Sequence, residues 1–217
     1  MKLTDELMSS RLVAIVRGIS RTESQAAGAG LAAGGVRLME VTMNTAGALD
    51  IMQDWRSAYD GQAYVGAGTV LNVKMAREAV AAGAQFLISP NVDLNVIAYA
   101  LEQDIDIWPG AMTPTEIAAA FHAGAEAVKL FPMASLGLGY LREIRGPLNH
   151  IPLVATGGVT LGNIAEYFEA GACAVGIGSS LLPKDALAAG DVEAIARCTS
   201  RFVQAAGRQD LEAPKFT

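Results

Sequence analysis

Two charged residues stand where apolar strands should hold none. Lys129 lies inside Ala127-Val128-Lys129-Leu130-Phe131-Pro132. Burial disfavours an ammonium and supplies the neutral amine that can attack a ketone carbonyl. The other four lysines, Lys2, Lys74, Lys184 and Lys215, fall by pattern in helices, loops or termini. The bland alternative for Lys129 is a side chain that snorkels to a rim or pairs with a carboxylate for structure alone. Glu40 is the second such charge, in Leu38-Met39-Glu40-Val41-Thr42. A carboxylate held beside an amine can shuttle protons between water, a carbinolamine and an enamine carbon. A structural salt bridge with Arg17 or Lys129 is its alternative.

A second set of residues suits an anion. Thr156-Gly157-Gly158 and Gly178-Ser179 place glycines where backbone N–H groups can approach a phosphate, beside helix starts. One Gly-Gly pair alone usually marks a turn, but here two such sites follow adjacent strands. Arg17, Thr69 and Ser89-Pro90-Asn91 also fall just beyond strand ends. His122 and His150 read as helix and loop positions, and no His, Asp or Glu cluster has metal-ligand spacing. Cys173 and Cys198 lack metal spacing and catalytic neighbours, so both are expected as buried, inert thiols.

The elements that must carry these residues alternate along the chain. Strands are expected at Leu12–Val16, Val36–Val41, Ala63–Ala67, Gln85–Ile88, Ile105–Trp108, Ala127–Leu130, Ile151–Ala155 and Cys173–Ile177. Helical patterns follow at Glu23–Ala33, Gly47–Ala58, Lys74–Ala82, Asn95–Gln103, Thr115–Ala123, Gly139–Arg145, Leu161–Ala170 and Glu193–Ala206, with an extra helix at Lys2–Ser10. Thr113-Pro114-Thr115-Glu116 reads as a capping box with proline in the first turn. Gly83, Gly124 and Gly171 sit where left-handed C-terminal caps belong. Eight near-continuous apolar strands, each joined to the next through a helix, argue for parallel pairing. The expected fold is therefore α/β, a (β/α)8 TIM barrel with an extra N-terminal helix, spanning 1–217 as one domain. An open doubly wound sheet is the alternative, disfavoured because no G-x-G-x-x-G follows the first strand.

Composition narrows the class further. The 217 residues are 52% hydrophobic, 18% charged and only 6% aromatic, which suits close helix-on-sheet packing. Mean hydropathy is +0.32, yet no apolar run nears the ~20 residues of a membrane span. Asp5 and Glu6 interrupt any signal-peptide pattern, so a soluble, cytoplasmic protein is expected. Net charge is −6 and the basic residues are scattered, which argues against a nucleic-acid partner.

Taken in order, the motifs resemble the 2-keto-3-deoxy-6-phosphogluconate and 4-hydroxy-2-oxoglutarate aldolases. They read Glu40-Val41-Thr42, Gly66-Ala67-Gly68-Thr69-Val70-Leu71, Ile88-Ser89-Pro90, Trp108-Pro109-Gly110, Lys129-Leu130-Phe131-Pro132, Thr156-Gly157-Gly158 and Gly178-Ser179. The resemblance implies a Schiff-base lysine at Lys129 and a proton-transferring glutamate at Glu40. It places Thr69, Pro90 and Phe131 around a pyruvate-derived end, and Thr156, Gly157, Gly158, Gly178 and Ser179 at the far end. It also implies a homotrimer. Enzymes of the phosphogluconate type carry an arginine where this chain has Asn44, whereas Arg17 is similar to the arginine of the 2-keto-3-deoxy-6-phosphogalactonate aldolases. Arg17 is thus a candidate substrate contact, with a structural rim arginine as the alternative.

The expected reaction is cofactor-free, metal-independent retro-aldol cleavage of a 2-keto acid, preferentially phosphorylated, to pyruvate and an aldehyde. Two rivals stand beside it. A sugar-phosphate isomerase or epimerase barrel would need a pair of acid–base residues facing one carbon, and a non-catalytic phosphosugar-binding barrel would have little use for a buried lysine.

Overall fold

The computed structural model describes residues 3–207. Lys2, Lys215 and the ends of the expected 1–217 domain lie outside the described residues. Nine strand segments are present among them: β1 (Leu12–Val16), β2 (Leu38–Thr42), β3 (Tyr64–Gly68), β4 (Phe86–Ile88), β5 (Asp106–Trp108), β6 (Gly110–Ala111), β7 (Val128–Leu130), β8 (Leu153–Thr156) and β9 (Ala174–Ile177). The helices are α1 (Leu3–Ser10), α2 (Arg21–Ala33), α3 (Ala48–Ala58), α4 (Val73–Ala81), α5 (Leu94–Glu102), α6 (Pro114–His122), α7 (Met133–Arg145), α8 (Ile164–Glu169), α9 (Lys184–Ala189) and α10 (Val192–Gly207).

All strand pairs are parallel, in the order β5-β4-β3-β2-β1-β9-β8-β7-β6. The fifth stave, expected as one strand over Ile105–Trp108, is instead two segments on either side of Pro109. Proline has no N–H to give a ladder, and the chain changes neighbours there. Asp106–Trp108 pairs with β4, and Gly110–Ala111 pairs with β7. The proline carbonyl still accepts from Lys129 N at 2.9 Å, so this stave closes the ring. The result is an eight-stave TIM-type barrel.

Side chains two apart on a strand share a face, and the parallel register keeps that parity around the ring. Ile15 pairs with Glu40, Glu40 with Gly66, and Lys129 with Val154. Deep inside, Leu38, Phe86, Trp108 and Val154 form one apolar cluster, with Leu3 and Leu7 of α1 packed against it. The extra helix therefore plugs the amino-terminal end of the barrel. It is pinned there by Asp106, whose carboxylate accepts from Thr4 N at 2.6 Å and Thr4 Oγ1 at 2.9 Å. Trp108 Nε1 donates to Thr4 Oγ1 at 3.3 Å.

The capping signals hold. Thr113 and Glu116 form a reciprocal box, and Gly83, Gly124 and Gly171 have φ of 93°, 103° and 100°. Two helices depart from expectation. The sequence pattern places a helix at Gly139–Arg145, whereas α7 begins at Met133 and runs through a kink at Gly137, φ 78°. The short α9 is also additional. Cys173 is buried as expected, and burial pushes its thiol up to about 12. Cys198 is only half-buried, with its Sγ 3.5 Å from the Ser180 carbonyl oxygen.

The plug sets a packing constraint next to the site. Phe86 stacks on Trp108 with ring centroids 4.9 Å apart. A Cβ on Gly66 would come within 2.4 Å of the Phe86 ring, and both aromatic side chains are fully buried. Overpacking of this kind costs about 1–3 kcal/mol. Gly66→Ala is therefore expected to lower the midpoint of urea unfolding, and an unchanged midpoint would show that the plug yields freely.

Candidate active site

Above the plug, the inward positions of the staves turn polar. Glu40 occupies the middle of β2 and is 0% exposed. Neither of its carboxylate oxygens has a hydrogen-bond partner among the described residues. The space for the carboxylate comes from β3, because a Cβ on Gly68 would lie 1.6 Å from Glu40 Oε1. No residue larger than glycine leaves that room. Burial raises the Glu40 pKa above the usual carboxylate range, against the pull of the nearby positive charges on Lys129 and Arg17.

Lys129 is on β7, 5% exposed, with Nζ 5.3 Å from the Phe131 ring centroid. It faces a cavity of about 620 Å³ at the carboxyl end of the barrel. Of the expected site residues, Arg17, Phe131, Thr156, Gly157, Gly158, Gly178 and Ser179 line that cavity together with Lys129. Glu40 lies beneath it rather than in its wall. Gly157 and Gly158 have φ of 103° and 77°, a backbone path that glycine takes without strain. Asn163 Nδ2 donates to the Gly158 carbonyl at 2.9 Å, and Asn163 Oδ1 accepts from Thr160 N at 2.7 Å. Those bonds fix the turn over the start of α7. Ser180 Oγ donates to the Val159 carbonyl at 3.3 Å, which joins the loops after β8 and β9.

Thr69 and Pro90 stand on the other side of the mouth and are not in the cavity wall. Arg17 reaches across it, its guanidinium donating to Thr69 Oγ1 at 3.4 Å. The Pro90 backbone abuts Gly110, where a Cβ would fall 2.4 Å away. Thr45, a residue the motif reading passed over, accepts from Gly18 N at 3.0 Å and lies 3.0 Å from Thr42 Oγ1. It ties the loop carrying Arg17 to β2. Asn44, beside it, is exposed.

Two charged residues in the wall, Glu23 and Lys184, were expected from the sequence only as helix or loop positions. Glu23 belongs to a capping box whose signal, Ser20-Arg21-Thr22-Glu23, was available. Its Oε2 accepts from Ser20 N at 2.7 Å, and that bond above all lowers its pKa. Lys184 opens α9, which has no strong sequence signature. His122 and His150 are exposed and line no part of the cavity. Among the described residues, no three His, Cys, Asp or Glu side chains converge as metal ligands.

Comparison with known proteins places this arrangement. A family model for KDPG and KHG aldolase matches residues 3–198. A 2-dehydro-3-deoxy-phosphogluconate aldolase of Treponema pallidum is 36% identical over 82% of this chain and 84% of its own length. A 2-dehydro-3-deoxy-6-phosphogalactonate aldolase of Escherichia coli is 33% identical over 89% of this chain and 93% of its own. A solved KDPG aldolase from Legionella pneumophila, with pyruvate captured as a covalent carbinolamine, superposes with a TM-score of 0.80. It is 25% identical and is matched over 89% of this chain and 95% of its own. The chain belongs to the KDPG and KHG aldolase family and is a carbon–carbon lyase of class I type.

Proposed function

We propose that the chain cleaves a 2-keto-3-deoxy-6-phospho sugar acid, 4-hydroxy-2-oxoglutarate or both through a Schiff base on Lys129. The observation that carries this reading is a buried amine opening on a cavity, with an unpartnered carboxylate beneath it. The amine adds to the C2 ketone to give a carbinolamine, which loses water to form the iminium. The C3–C4 bond then breaks, its electron pair moving into the iminium to leave an enamine of pyruvate. The C4 hydroxyl loses its proton as the aldehyde departs. Protonation at C3 and hydrolysis return pyruvate and the free lysine. Glu40, buried beside the amine, is the group proposed to move these protons. Phe131 supplies an apolar wall at the keto end, and Thr156, Gly157, Gly158, Gly178 and Ser179 offer donors to the tail. A role for Thr69 and Pro90 at the keto end would be indirect, through Arg17 and the fifth stave.

Arg17 and Asn44 favour a second reading, the C4 epimer of the galactonate type. The guanidinium at the mouth comes from the loop after β1, while the loop after β2 offers only Asn44. We also expect a homotrimer. Leu71 and Met112, exposed on loops, and Leu94, exposed at the start of α5, follow neighbouring staves and give an apolar surface to bury. The unbridged Cys173 and Cys198 suit the cytoplasmic setting expected from the sequence.

Incubation with pyruvate and borohydride is expected to leave a stable mass adduct that peptide mapping finds on Lys129. Lys129→Ala should lose both the adduct and aldol cleavage while retaining its circular dichroism spectrum. An adduct on Lys74 or Lys184 would overturn the assignment.

Glu40→Gln is expected to lower kcat by about 100- to 10,000-fold, the worth of a positioned acid–base group. Its effect on stability has the opposite sign. A carboxyl whose folded pKa is raised contributes fully below the unfolded value of 4.5, and that contribution is lost as pH rises through the folded pKa. The variant should therefore gain in Tm relative to wild type as pH climbs above 4.5. A Tm difference that does not change with pH would mean that Glu40 titrates normally.

Arg17→Ala should lower kcat/KM for phosphorylated C6 substrates by about 10- to 150-fold, equivalent to the roughly 1.5–3 kcal/mol of hydrogen bonds to charged groups. Cleavage of 4-hydroxy-2-oxoglutarate should suffer less. Equal losses on both would leave Arg17 a rim residue that reads no substrate.

A further inference from the structure

The wall of the cavity holds one cation with no part in the reaction just described. Lys184 is exposed, and it lines the cavity together with Leu182 and Leu187 from the same segment. That segment is not loosely placed. Leu181 N donates to the Gly178 carbonyl at 3.0 Å, and Leu182 N to the Ser179 carbonyl at 3.3 Å. The turn so formed holds the start of α9 beside the Gly178-Ser179 loop.

Nothing local explains a cation at this point. Among the described residues no carboxylate pairs with Lys184. The positions one turn on in α9 are Leu187 and Ala188, and Asp185 is an i+1 neighbour that faces elsewhere. A positive side chain at the first helical residue also works against the helix dipole, so α9 gains nothing from it. Charge in the wall is unbalanced as a result. Arg17, Lys129 and Lys184 face one carboxylate, Glu23, and that carboxylate is already engaged by the Ser20 amide. In a chain of net charge −6, this is a local concentration of positive potential. The cavity, at about 620 Å³, is also far larger than a three-carbon keto acid requires.

We propose that Lys184 is a specificity-determining residue that pairs with the terminal anion of the substrate's tail and favours a phosphate dianion over an uncharged terminus. The inference rests on the aldolase reading above and names what lies at the far end of its cavity. Lys129 reacts as an amine, and the Arg17 guanidinium is turned toward Thr69 Oγ1. That leaves Lys184 as the cation placed to meet a tail running past Gly157-Gly158 and Ser179.

The test uses the full chain and its Lys184→Gln and Lys184→Arg variants. The measured quantities are kcat and KM for a 6-phosphorylated 2-keto-3-deoxy sugar acid and for its unphosphorylated counterpart. In Lys184→Gln the ratio of the two kcat/KM values should fall about 10-fold, as befits a charge-assisted contact at a partly wet mouth. The loss should sit in KM for the phosphorylated substrate, shrink at high salt, and be largely restored in Lys184→Arg. An unchanged ratio, or equal losses on both substrates, would overturn the proposal. Borohydride trapping with pyruvate separates this from failure of the aldolase reading. A wild-type chain that forms no adduct loses the reading itself, whereas normal trapping with an unaltered ratio removes only the role of Lys184.

Discussion

A carboxylate stripped of water with no hydrogen bond in return is the constraint that organises this barrel. Isolated ionised groups are not stable in apolar interiors; they neutralise or find a counter-charge. For Glu40 both responses are present, a raised pKa and the positive charges of Lys129 and Arg17. Desolvation is the larger of the two, and the cationic neighbours offset it only in part. In the reaction proposed above, a carboxyl locked in either protonation state would be a poor proton carrier, while one held between desolvation and cationic neighbours could change state as the substrate's own charge arrives.

The remaining architecture serves to keep that group unsolvated and in reach of the amine. Gly68 supplies the volume, and any Cβ there would occupy the position of the carboxylate oxygen. The aromatic pair of Phe86 and Trp108, with α1 behind it, keeps water from entering through the amino-terminal end. The parallel register then carries the inward parity from Glu40 on β2 round to Lys129 on β7. A slip of one residue on either strand would turn its charge out into the helix layer.

What was legible in the sequence follows from how locally each feature is determined. A charge in an apolar strand declares itself, because burial without purpose would cost several kcal/mol. Lys129 and Glu40 could be found that way, as could the caps at Thr113, Gly83, Gly124 and Gly171, which depend on a few adjacent residues. The division of the fifth stave at Pro109 was harder to see. It depends on which neighbour each half pairs with, and that is a property of the closed ring. The early start of α7 was hidden by its glycines, which weaken the helical pattern that packing against the Gly157-Gly158 turn then restores. Glu23 and Lys184 share the same obscurity. Glu23 has a sufficient local explanation as a cap, Lys184 opens a short helix that has no strong sequence signature, and only three-dimensional closure brings both to one cavity.

That closure bears on how an acidic protein handles acidic substrates. Net charge sets the field far from the molecule, and at physiological ionic strength it fades within about 8 Å. Inside the mouth, the field is made by the few groups that line it, with low-dielectric walls around them. Glu23 is the one carboxylate among the described residues that line it. Its charge is directed to the backbone amide of Ser20, where the start of α2 offers unpaired donors. That bond holds Glu23 ionised, so it offsets part of the positive charge that Arg17, Lys129 and Lys184 bring to the wall. A local device of helix formation thus fixes one negative charge in the wall, and the anion site proposed above depends on the three cations that outnumber it.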